Sequence, residues 1–86
     1  MTYDKKVLQT FLDHQLQLLP EKIANDYEEA DAFLEDCFAV VVNNLKEVKA
    51  YFEEEGVDVA GMSTADIEQA QEVFKIDDGR YLIVEA

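Results

Sequence analysis

Apolar residues recur along most of this chain at spacings that alternate between three and four. In residues 4 to 19, Val7, Leu8, Phe11, Leu12, Leu16, Leu18 and Leu19 fall in one arc at about 100° per residue, opposite Lys6, Gln9, Asp13 and Gln17. The arc predicts an amphipathic helix. Thr2 or Asp4 is positioned to accept a hydrogen bond from its first free amides, and Pro20 forces Leu19 out of the helical region, so the helix should stop near Leu18. Pro20 to Ala24 suits one short further turn before Asn25-Asp26 interrupts it.

Asp26 followed three residues later by Glu29 is a capping-box variant with Asp as the cap. From there the apolar positions run Ala30, Leu34, Cys37, Val41, Leu45, Val48 and Phe52, widened by Phe33, Phe38, Val40 and Tyr51, with Asp31, Glu35, Lys46, Lys49 and Glu53 away from the stripe. This predicts one long helix from about Tyr27 to Glu55, ended by Gly56 and roughly 40 Å long at 1.5 Å per residue. The competing reading takes Phe38 to Val42 as a buried strand, because consecutive β-branched residues favour extended chain. Helix is preferred, since the spacing passes through the run without a phase shift and no Gly or Pro flanks it.

Val57 to Met62, bordered by Gly56 and Gly61, reads as a loop, and Ser63 with Asp66 signals the start of a short third helix over about 64–72. Val73 to Ile76 and Arg80 to Val84 are rich in β-branched and aromatic residues around Asp78-Gly79, a strong hairpin signal. A two-residue loop there would set Asp77 opposite Arg80, Ile76 opposite Tyr81 and Phe74 opposite Ile83, placing Phe74, Ile76, Tyr81 and Ile83 on one side. The expected fold class is α+β: two main antiparallel helices and a short third, with a C-terminal β-hairpin packed on them. At 86 residues it should be a single domain.

With 49% hydrophobic residues, one Pro and three Gly, the chain can bury a core. One cysteine cannot form an internal disulfide, which points to the reducing cytoplasm. The longest apolar run, Phe38 to Val42, falls far short of the roughly 20 residues a membrane helix needs. The formal charge of −13 repels phosphate and anionic lipid, so neither nucleic acid nor a membrane surface is an expected partner. The helix before the hairpin, Thr64 to Glu72, carries no Lys or Arg to meet phosphates or base edges.

No catalytic, cofactor or metal signature emerges. His14 and Cys37 sit at ordinary packing positions on their helices, and a thiol among apolar side chains and acids has a raised pKa and low reactivity. Glu53 to Asp66 lacks the alternating oxygen ligands of a calcium loop, and one His with one Cys does not make a zinc site. An enzyme is therefore not expected.

What stands out is where the acids lie. Residues 26 to 58 hold eleven acids and two Lys. Glu28, Asp31 and Glu35 are spaced to line one helix face. Glu53, Glu54 and Glu55 oppose the dipole of the helix they end, at a cost of about 0.3–1 kcal/mol each, with only Lys49 to offset them. These six are the candidate partner-binding residues. The expected function is a small acidic non-enzymatic interaction module, an inhibitor or regulator of a basic protein partner. The alternative is a structural or regulatory homo-oligomer whose acidity serves solubility, for instance a symmetric homodimer burying the overhanging flank of the long helix. Gln15 and Asn44 fall within apolar arcs, where each must either bond a loop or helix end or fix the register of an interface.

Overall fold

In the computed structural model, which describes residues 1–85, Asp4 starts the first helix, α1 (Lys5–His14), by accepting the Val7 amide at 3.0 Å. One 3-10 turn, Gln15–Gln17, continues it. Residues 20–24 form no helical turn; the Gln15 side chain holds them instead. Its Oε1 accepts the amides of Ile23 and Ala24 at 2.9 and 3.1 Å, and its Nε2 donates to the carbonyls of Ala24 and Leu12 at 3.0 and 3.2 Å. Gln15 is only 1% exposed, so a loop bond and not an interface accounts for its place in the apolar arc.

Asp26 accepts the Glu29 amide at 2.9 Å while Glu29 takes the Asn25 amide, opening α2 (Tyr27–Asp36). The helix then ends after 10 residues, and the single helix expected from Tyr27 to Glu55 does not form. Cys37 caps α2, Phe38 turns to φ 55°, Val40–Val42 forms strand β1, and α3 (Leu45–Glu54) starts afresh at Asn44. Asn44 is an exposed N-cap whose Oδ1 accepts the Glu47 amide at 2.9 Å, not a buried amide. The strand reading wins because three successive valines favour extended chain and β1 has apolar neighbours on both faces, so no polar alternation breaks the stripe. The overhanging helix on which a homodimer was expected is thus absent; at roughly 40 Å it would exceed the longest dimension of the molecule, 37 Å.

Ser63 and Asp66 exchange side-chain-to-backbone bonds at the start of α4, which covers only Thr64–Glu68. Strands β2 (Val73–Lys75) and β3 (Tyr81–Ile83) follow, and β3 lies between β1 and β2 in an antiparallel sheet. The hairpin forms, but with a three-residue loop: Ile76 donates to the Arg80 carbonyl at 2.9 Å and Gly79, at φ 93°, donates to the Ile76 carbonyl at 3.1 Å. Register therefore moves by one from the expected pairing, setting Lys75 opposite Tyr81, Phe74 opposite Leu82 and Val73 opposite Ile83. Asp77-Asp78-Gly79 suits a turn closed by a left-handed glycine, a common alternative to the two-residue loop. Arg80 latches the turn by bonding Asp78 and Asp4 at 2.8 and 2.7 Å, and these bonds hold both carboxyls below the usual carboxylate range.

The shift has a large effect on packing. Phe74, Ile76, Leu82 and Val84 face a core shared with Val7, Leu8, Phe11 and Leu34, whereas Val73, Tyr81 and Ile83 face a second core with Val48, Phe52, Val59 and Ile67. The sheet is a middle layer with α1 and α2 on one side and α3 and α4 on the other. The four residues expected to share one face divide between the two. This fold is α+β, with helices on both sides of its sheet.

Replacing Gly79 by Val should cost about 2 kcal/mol through backbone strain alone, because nothing lies within 4 Å of the added Cβ. Asn, which tolerates positive φ, should cost less. Equal melting temperatures for Gly79→Val and the parent would disprove the turn assignment.

Candidate functional site

The two helices that flank β1 close in the same manner. At the end of α3, Gly56 donates to the Glu53 carbonyl at 3.1 Å and Val57 to the Phe52 carbonyl at 2.9 Å, with Gly56 at φ 85°. At the end of α2, Phe38 donates to the Glu35 carbonyl at 3.1 Å and Ala39 to the Leu34 carbonyl at 3.0 Å, with Phe38 at φ 55°. This left-handed position is where helices ordinarily place glycine. A phenylalanine there costs about 1–2 kcal/mol of backbone strain. Burial does not repay it, since Phe38 is 85% exposed.

Surrounding structure imposes the conformation. The Tyr3 phenol donates to the carbonyls of Ala39 and Leu34 at 2.6 and 3.2 Å, fixing the chain on either side of Phe38. Burial raises the Tyr3 pKa, and Asp31, Glu35 and Cys37 nearby raise it further. Beyond Ala39, β1 is an edge strand with little open edge. Residues 80, 82 and 84 direct their backbone groups toward the β2 side, so Tyr81 and Ile83 bond β1 through Val42 and Val40, and Val41 points outward. Its outward neighbours are occupied: Ala39 by Tyr3 and the Leu34 carbonyl, Asn43 by the Glu47 carboxylate. On the far edge, Gln17 Nε2 donates to the Gln71 and Val73 carbonyls.

The topology gathers carboxylates at the end of the sheet that carries Phe38. α2 ends where β1 begins, and α3 leaves the far end of β1 and packs back against β1 and β3, so both helix C-termini lie at one end of the sheet. Val40 pairs with Ile83, which brings Glu85 to that end too. Tyr51 reports the convergence: burial, followed by the carboxylates of Glu85 and Glu55, pushes its phenol up to about 12. Glu35, Asp36, Glu53, Glu54, Glu55 and Glu85, all exposed, thus share the end of the molecule that presents Phe38.

Of the six residues expected to bind a partner, Glu35 and Glu53 to Glu55 are brought to this end. Glu28 is exposed on the first turn of α2, at the opposite end of that helix. Asp31 is removed from the exposed set: it is 7% exposed, and its Oδ1 accepts the Tyr3 amide at 2.9 Å. Phe38, Asp36 and Glu85 were not among the expected site residues. Phe38 reads in sequence as one more member of the apolar stripe, and only the strand alternative hinted at a break beside it.

His14 and Cys37 do not meet. His14 is exposed and lines a groove of about 580 Å³ with Lys5, Lys6, Thr10, Lys75 and Tyr27, the first residue of α2; Cys37 caps the other end of that helix. Burial, and then Asp36, push the Cys37 thiol up. Among the described residues no group of three or more His, Cys, Asp or Glu side chains is arranged to hold a metal ion, and no helix is long and apolar enough to cross a membrane. No family model, curated protein or solved structure matches the chain.

Proposed function

We propose that this chain is a small, acidic, non-enzymatic interaction module that docks a basic protein partner, as its inhibitor or regulator, through the end of the sheet where α2 and α3 terminate. The observation that carries this reading is the gathering of exposed Glu35, Asp36, Glu53, Glu54, Glu55 and Glu85, from three separate segments, at the one end of the sheet that also presents an exposed aromatic ring. Like charges gathered this way repel one another, and a cationic surface relieves that repulsion. The separation of His14 from Cys37 supports a binding role over a thiol-dependent reaction.

A short peptide of alternating lysine and serine, titrated calorimetrically at low ionic strength, should bind, with affinity falling steeply as salt rises because exposed charges are screened beyond about 8–10 Å. Neutralising Glu53, Glu54 and Glu55 together to Gln should weaken binding by about tenfold and flatten the salt dependence. A triple variant that binds as tightly as the parent would reject this end as the docking surface.

A further inference from the structure

We infer that Phe38 is the anchor of this docking surface and that it receives an arginine side chain of the partner, the guanidinium stacked on the exposed ring and held at its edge by the carboxylates of Glu35 and Asp36. The inference rests on the acidic-end reading above and specifies what that end recognises.

Three observations bear on it. Phe38 occupies a left-handed helix-closing position that the same chain gives to glycine at Gly56, so the strain is not demanded by the closing motif. The ring is 85% exposed, so it contributes almost nothing to the core. Its neighbours at that end of the sheet are acids, which repel an anionic occupant and disfavour a second copy of a chain carrying −13. Strand addition along β1 is a poor alternative, because Tyr3, the Leu34 carbonyl and Glu47 leave Val41 as the one outward-facing strand residue without a backbone partner. An exposed aromatic face at an end of the molecule that carries exposed carboxylates matches a planar cation, and arginine, flat and weakly hydrated, stacks on such a face better than lysine.

The test compares two peptides of equal charge, one alternating arginine with serine and one alternating lysine with serine, against the parent protein and Phe38→Gly. The parent should bind the arginine peptide about fivefold more tightly than the lysine peptide, and ring-current shifts should move the arginine side-chain protons upfield in its NMR spectrum. Phe38→Gly should lose that preference and those shifts while melting about 4 °C higher, since glycine relieves the strain and an exposed ring leaves no cavity. Unfolding therefore cannot explain its loss of the arginine preference. Equal affinities of the parent for the two peptides, or an undiminished arginine preference in Phe38→Gly, would overturn the assignment to Phe38 while leaving the acidic end intact as a docking surface. Failure of both peptides to bind the parent would overturn the acidic end itself, and this inference with it.

Discussion

Gln15→Leu is expected to lower the unfolding free energy by about 3 kcal/mol. The substitution preserves side-chain size and adds apolar surface, so a gain would follow if burial alone mattered. Against that, one amide group satisfies the backbone of Ala24 in both directions and the amide of Ile23, and Ala24 is fully buried. Each buried group left unpaired costs about 1–3 kcal/mol. Denaturant unfolding would measure the loss, and hydrogen exchange at the Ile23 and Ala24 amides should accelerate more than exchange in β3. A variant within about 0.5 kcal/mol of the parent would mean that water replaces the side chain and that the loop is not pinned by it.

Phe11→Ala should cost more, about 3–5 kcal/mol. Phe11 is fully buried, stacks on Phe33 with ring centroids 5.4 Å apart and meets Phe74 at 5.7 Å, so it ties α1 to α2 and to the sheet. A chain of this length has about 4–13 kcal/mol of total stability at typical per-residue values. The variant would thus lose a large part of its margin, seen as a collapse of the melting temperature. Phe11→Leu, which fills most of the space, should recover more than half of the loss. Equal stability of the Ala and Leu variants would show that the ring contacts are not what joins the layers.

The local signals in the sequence were legible where chemistry acts over three or four residues. Asp4, Asp26 and Ser63 cap the helices that follow them, and Asp78-Gly79 lies in the hairpin turn. What escaped was set by distant partners. A strand packed on apolar neighbours on both faces carries no polar alternation, so Val40 to Val42 was indistinguishable from a continuation of the helical stripe until Ile83 was there to pair with it. The hairpin register failed for a related reason: all of Val73, Phe74, Ile76 and Tyr81 to Val84 are buried, and apolar faces on both sides of the sheet removed the pattern that would have fixed it. The candidate site was legible as composition, in Glu35 and Glu53 to Glu55, but not as geometry. Their convergence depends on α3 folding back along β1, and Asp31 left the set because Tyr3, far off in sequence, claims its carboxylate.

The covered edges of the sheet also bear on aggregation. Phe38-Ala39-Val40-Val41-Val42 is a short, uncharged, β-prone run without proline, the type of segment that templates cross-β stacking when its backbone is open. In the folded chain much of this backbone is already engaged: the Tyr3 phenol and the Glu47 carboxylate stand on either side of Val41, and Gln17 takes the Val73 carbonyl on the opposite edge. Three side chains from three different parts of the chain thereby act as stoppers on a sheet that would otherwise extend from molecule to molecule. The N-terminal residues matter most here: release of Tyr3 would free the Ala39 carbonyl and lengthen the open ladder beside Phe38. The contact that holds the aromatic ring outward is thus also one that keeps the valine run from recruiting its own kind.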